Sequence, residues 1–104
     1  MIQQIRNECL NLIRLGNRKI NEVRFSKSET QAHISKKVEI CCKLTKQEKH
    51  FITEGIFKDG SGRCDILILD DFKVVEIVCS EKEESIIRKK QDYPNGLKIE
   101  VVRA

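Results

Sequence analysis

The sequence predicts an α/β protein: an αβββαβ core with a mixed four-stranded sheet flanked by helices, and one extra helix at the N-terminus. Three observations carry this. Between Glu54 and Ser80 lie three strand-like pieces separated by turn formers. Before them, two segments repeat their apolar residues at helical spacing. After them, a short capped helix leads into a β-branched run, and strand–helix–strand implies a parallel crossover.

Residues 1–15 read as the extra helix, with Ile2, Ile5, Cys9, Leu12 and Ile13 as its apolar stripe and Gly16-Asn17 as its stop. A basic connector, Asn17 to Lys27, follows; its Ile20, Val23 and Phe25 pack down or form a short extended piece. A helix covering the sheet is the expectation for residues 1–27, with a dimer face or DNA-contacting arm as the alternative. Ser28 and Gln31 form a capping box that opens a second helix running to about Lys46. Its expected buried stripe is Ile34, Val38, Cys41, Cys42 and Leu44, and Glu29, His33 and Lys37 lie one turn apart beside it.

His50 to Phe57 (HFITEGIF) is the first strand, with Glu54 sharing a face with Ile52 and Ile56. KDGSGR (Lys58 to Arg63) is a hairpin loop. CDILILD (Cys64 to Asp70) is the second strand: Asp65, Leu67 and Leu69 share one face, and Cys64, Ile66 and Ile68 the other. The Asp70-Asp71 link makes it an antiparallel neighbour of FKVVEIV (Phe72 to Val78), where Phe72, Val74, Glu76 and Val78 share a face. Ser80 with Glu83 caps the last helix, Ile86 and Ile87 bury it, and Arg88, Lys89 and Lys90 crowd its last turn. Pro94-Asn95-Gly96 ends it, and LKIEVVR (Leu97 to Arg103) closes the sheet.

Composition bounds this to one small domain, residues 1–104. With no tryptophan, one tyrosine and four phenylalanines, the core must be aliphatic. A net charge of +4 permits a polyanion partner without requiring one. The five cysteines (Cys9, Cys41, Cys42, Cys64 and Cys79) are odd in number and contain no CxxC, so a disulfide framework and a zinc knuckle are not expected. That usage, with no membrane-length apolar run, implies a cytoplasmic protein with no membrane partner.

Acids inside β-branched strands are costly to bury without a partner. Asp65 and Glu76 sit on neighbouring strands, and two convergent carboxylates suit Mg²⁺ or Mn²⁺. The structural alternative is that Asp65 ends a strand at the surface and Glu76 pairs with a lysine. Glu54, flanked by two isoleucines, makes sense as a third carboxylate beside them.

The order of these acids on helix, strand, strand, strand, helix and strand resembles the PD-(D/E)XK nuclease superfamily, the restriction-endonuclease-like fold. The segments that carry it are SETQAHISKK (Ser28 to Lys37), Glu54, GRCDIL (Gly62 to Leu67), VVEIVCS (Val74 to Ser80) and RKKQDY (Arg88 to Tyr93). It covers roughly residues 28–104 and looks most like the compact competence-nuclease-like and small archaeal or phage members. The resemblance implies a metal-dependent nuclease hydrolysing DNA phosphodiester bonds, selective for structure or ends, possible as a homodimer. It implies Mg²⁺ (or Mn²⁺) held by Asp65 as bridging ligand and by Glu76 with the main-chain carbonyl of Ile77, with Glu54 acting directly or through water. The first core helix lends the site a residue of the kind of Glu29, His33 or Lys37. Arg88, Lys89 and Lys90 hold phosphates, or simply complement the helix dipole.

One position departs from the pattern. The lysine usual two residues after the second acid is Val78 here, and Lys73 falls three positions before Glu76, on the opposite face. The activating lysine is therefore missing, unnecessary or displaced, with Lys37 the first candidate for the displaced group. The alternative function is a catalytically inactive nuclease-fold module that binds nucleic acid. A third is a small interaction protein in which these acids form salt bridges.

Overall fold

A computed structural model describes every residue except Glu81, and the side chains of Glu83 and Lys89 lie outside the described residues as well. The elements are α1 (Ile2–Leu10), β1 (Ile13–Arg14), α2 (Gln31–Lys46), β2 (Phe51–Phe57), β3 (Arg63–Ile68), β4 (Lys73–Val78), α3 (Glu83–Lys90) and β5 (Lys98–Arg103). The sheet has five strands in the order β1-β2-β3-β4-β5. All neighbours are antiparallel except β4 and β5, which run parallel through the α3 crossover.

The fifth strand corrects the four expected. Residues 1–15 are not one helix: α1 stops at Leu10, and Ile13 and Arg14 pair with Phe57 and Ile56. Ile13 is buried against Cys9 and Phe57, while Ile2 and Ile5 of the expected stripe are exposed. Burying an isoleucine stabilises by about 1.5–3 kcal/mol. That exceeds the few tenths per residue gained by extending a helix.

The start of α2 also differs. Its N-cap is Thr30, not Ser28: the Thr30 backbone is extended and its hydroxyl accepts the His33 N–H at 3.1 Å. Ser28 sits in the preceding turn, its hydroxyl 2.9 Å from that of Ser26. The buried face of α2 is Lys37, Cys41 and Leu44, with Val38 and Cys42 exposed, so the helix is rotated from the expected stripe. At the other end of the chain, the N-cap of α3 is Lys82 with no side-chain cap. The expected Ser80–Glu83 box rests on a Glu83 side chain outside the described residues.

The sheet separates two apolar clusters. One joins Cys9, Ile13, Ile52, Phe57, Leu67 and Val74 with Tyr93 from beyond α3. The other joins Phe51, Ile66, Ile68, Val75 and Ile77 with Cys41 and Leu44 of α2. Regular alternation between these faces fails at one place, the cross-strand neighbours Glu54 and Asp65. Glu54 has φ +53°, a left-handed conformation that costs a non-glycine residue roughly 1–2 kcal/mol. Thr53 and Glu54 consequently both turn toward α2 and its connector: Thr53 Oγ1 accepts the Arg24 N–H at 2.9 Å, and Glu54 reaches Lys37. β3 slips in step. Cys64 joins Leu67 and Leu69 in the first cluster, and Asp65 faces His33 of α2. Glu54 therefore does not share a face with Ile52, though it does with Ile56 beyond the slip, and Asp65 does not share one with Leu67 and Leu69. Because both strands slip together, the β2–β3 register is unbroken.

Candidate functional site

β3 and β4 pair from Ile68–Lys73 to Ile66–Val75, and among the described residues no pair forms beyond. In the gap, Asp65 Oδ2 accepts the Ile77 N–H at 2.7 Å. A carboxylate thus takes the bond that a strand carbonyl would supply, and the strands are held apart. Next to this opening lies a cleft of about 380 Å³ between the start of α2 and the end of α3. Glu29, His33, Glu54, Asp65, Glu76 and Lys90 all line it, together with Arg63 and the backbone region of Ile77 to Ser80.

Glu76 enters from the Tyr93 side and is 5% exposed. The Tyr93 hydroxyl donates to Glu76 Oε1 at 2.8 Å and lies 2.7 Å from the Arg63 carbonyl. Burial, first, and the adjacent Asp65 carboxylate, second, push the Glu76 carboxyl up to about 7, against the lowering influence of Lys90 and Tyr93. Burial, first, and Glu76 hold the Tyr93 phenol well above its ordinary value. Tyr93 is itself fixed by packing on Phe57, with ring centroids 4.6 Å apart.

The α2 wall is closed by a chain of charged and polar contacts running from Lys37 through Glu29 and His33 to Asp65. Lys37 is fully buried, and its Nζ lies 2.8 Å from Glu29 Oε2, 2.9 Å from the Arg24 carbonyl and 3.4 Å from Glu54 Oε1. Glu29 Oε1 accepts the Ser26 N–H at 2.8 Å, and Oε2 lies 2.6 Å from His33 Nδ1. His33 Nε2 then faces Asp65 Oδ2 at 3.4 Å. Burial would raise the Glu29 carboxyl, but Lys37, the Ser26 N–H and His33 together hold it down at about 2.

The structure thus brings together the predicted Asp65, Glu76, Glu54, Glu29 and His33, but distributes their roles unevenly. Glu54 is spoken for: Lys37 and Arg63 (Nη1 at 3.8 Å) flank its carboxylate, and its carbonyl accepts from Arg18 Nε at 2.7 Å. Lys37 supports the wall and does not reach the cleft. Ile77 lines the cleft and donates its N–H to Asp65. Of the basic run, Lys90 lines the cleft, Arg88 is exposed away from its lining, and the Lys89 side chain lies outside the described residues. Two participants were missed, Tyr93 and Arg63. The signal for Tyr93 was its place three residues after Lys90, as the chain's single tyrosine. Arg63 stood inside the GRCDIL segment with no role assigned.

Among the described residues, no three His, Cys, Asp or Glu side chains are arranged as a metal-holding group. The fit to a cation therefore rests on two carboxylates. Asp65 and Glu76 are hard oxygen donors whose mutual repulsion a divalent cation would relieve. Two carboxylates are what Mg²⁺ uses when substrate phosphate and water complete its shell. The residues present fit the ion on those terms.

Comparison of the chain with protein-family models, with curated proteins and with solved structures finds no match. Among the described residues no helix is long and apolar enough to cross a membrane, and all five cysteines are free.

Proposed function

We propose that the protein is a metal-dependent nuclease that hydrolyses DNA phosphodiester bonds in the cleft between α2 and α3, on a restriction-endonuclease-like core. The observation that carries this reading is the Asp65–Glu76 pair: two carboxylates forced together where β3 and β4 part, one of them buried and pushed up to about 7. The order of elements from α2 to β5 supports it, as does an open cleft flanked by Arg63 and Lys90.

Asp65 and Glu76 would hold the Mg²⁺ or Mn²⁺. A bound ion supplies an acidified water and neutralises charge on the reacting phosphate. In the balanced reaction the water oxygen bonds to phosphorus as the bond to one sugar oxygen breaks. The water's proton passes to solvent and the departing oxygen is protonated. The chain's own residues set the geometry. The Ile77 N–H and Tyr93 hydroxyl each fix one carboxylate, and the Glu29–His33 pair buttresses Asp65 from the α2 side. Selectivity for DNA ends or branches is part of this reading.

The second reading, an inactive nucleic-acid-binding module, is favoured by Val78, which is buried and offers no cation from β4. Cleavage of labelled duplex, single-stranded, flap and junction DNAs in Mg²⁺ or Mn²⁺ separates the two. We expect cleavage that EDTA and Glu76→Ala both abolish. Metal-independent binding without cleavage would instead establish the module.

A further inference from the structure

Neither position that sequence reasoning offered for a site cation delivers one. Val78 is apolar and buried, and Lys37 is sealed beneath Glu29 and Glu54. The opposite wall presents a different lysine. Resting on the nuclease reading above, we infer that Lys90 is the catalytic cation of this site, contacting the non-bridging oxygens of the scissile phosphate.

Lys90 Nζ lies 3.7 Å from Glu76 Oε1, 3.4 Å from the Arg63 carbonyl and 4.9 Å above the centre of the Tyr93 ring. A carboxylate, a carbonyl and a π-face together hold the ammonium at the cleft. Both oxygen contacts are longer than the 2.7–2.9 Å of a strong charge-assisted bond. Among the described residues the ammonium is therefore placed without being saturated, and a phosphate oxygen is a better partner than either oxygen it now touches. Lys37 shows the contrast: with contacts of 2.8 and 2.9 Å and no exposure, it has nothing left to offer a substrate. Lys90 also sits beside Glu76, so a phosphate held by its ammonium would lie at the Asp65–Glu76 pair. Arg63, the other long cation on the cleft lining, is mostly exposed and meets Glu54, which places it at the mouth. Tyr93 is a positioning residue: its ring supports Lys90 and its hydroxyl fixes Glu76.

The test compares the wild-type chain with Lys90→Ala, Lys90→Met and Glu76→Gln. Three quantities are followed: single-turnover DNA cleavage in Mg²⁺, Mn²⁺ binding by electron paramagnetic resonance, and melting temperature. Lys90→Met keeps the methylene packing on Tyr93 and guards against a folding defect. We expect both Lys90 variants to lose about 100-fold in cleavage rate, the scale of losing one preorganised donor to a developing charge. Mn²⁺ binding should be retained or tightened, because a competing cation beside Glu76 is gone. Ethylammonium should restore part of the Lys90→Ala rate, which a purely structural role would not allow. If the Lys90 variants cleave like wild type while Glu76→Gln is inactive, the Lys90 assignment is overturned and the nuclease reading stands. Loss of cleavage together with Mn²⁺ binding, without amine rescue, would also overturn it. A wild-type chain that cleaves none of the DNAs overturns both.

Discussion

The two walls of the cleft each set a lysine beside buried or half-buried carboxylates, with opposite results. On the α2 side, Lys37 stands between Glu29 and Glu54, every charge has a partner, and the Glu29 carboxyl is held at about 2. On the α3 side, Lys90 stands farther from Glu76, a second carboxylate crowds in from Asp65, and the Glu76 carboxyl rises to about 7. The first wall is a network in which one buried lysine answers both carboxylates. The second carries unrelieved repulsion that a proton, or by our proposal a divalent cation, would relieve. The difference teaches that a lysine near an acid says little by itself. Distance and the number of competing carboxylates decide whether the pair is scaffold or chemistry.

The largest expected effect is on the closed wall. Lys37→Met should cost about 3–5 kcal/mol, because it removes a fully buried cation and leaves the half-buried Glu29 and Glu54 carboxylates without it. Urea unfolding measures it, and a loss below about 1 kcal/mol would break the contrast between the walls.

The open wall should respond in the other direction. The folded-state value of Glu76 is raised from about 4.5 to about 7. Its contribution is therefore fully present below the ordinary carboxyl range and lost as pH rises toward 7. Glu29 is lowered to about 2, so its contribution is present above about 4.5 and lost as pH falls toward 2. Without metal, the two together predict a stability maximum near pH 4.5 in a pH series of thermal melts. Glu76→Gln should remove the decline above it and stabilise the metal-free protein at pH 8, by up to about 3 kcal/mol. Mg²⁺ should stabilise the wild type at pH 8 by mass action and leave Glu76→Gln unmoved.

Two smaller substitutions sharpen the picture. Tyr93→Phe should cost about 1–2 kcal/mol, since Glu76 loses its 2.8 Å donor. The change should also raise the pH at which Glu76 titrates, readable from the same melts. Thr30→Ala removes the cap of α2 and should cost about 1 kcal/mol, with no shift in that titration.

Much of the fold was legible from periodicity and turn chemistry. β2, β3, β4 and β5 lie within a residue or two of their expected bounds, because β-branched runs between turn formers leave few alternatives. α2 was legible as a helix but not in its rotation. Its expected stripe included Val38 and Cys42, whereas the helix turned to bury Lys37 once Glu29 and Glu54 were there to receive the ammonium. β1 was not legible, because Ile13 continues a helical stripe as readily as it fills a sheet edge. Within the cleft, Asp65 and Glu76 were visible as acids set in apolar runs. Tyr93 and Lys90 were not visible as their partners, because they reach Glu76 from across the chain.

By itself, then, the sequence determined the α/β class, the run of strands from Phe51 to Val78 and the identity of the acids, since alternation, turns and buried charge are local properties of a chain. Only the tertiary structure decided which way those acids point and what answers them. The left-handed turn at Glu54, the matching slip at Asp65 and the parting of β3 from β4 depend on Lys37, Ile77 and Tyr93 arriving from elements 12 or more residues away. Strict alternation would have set Glu54 and Asp65 on the opposite face. The paired slip is what turns them toward α2.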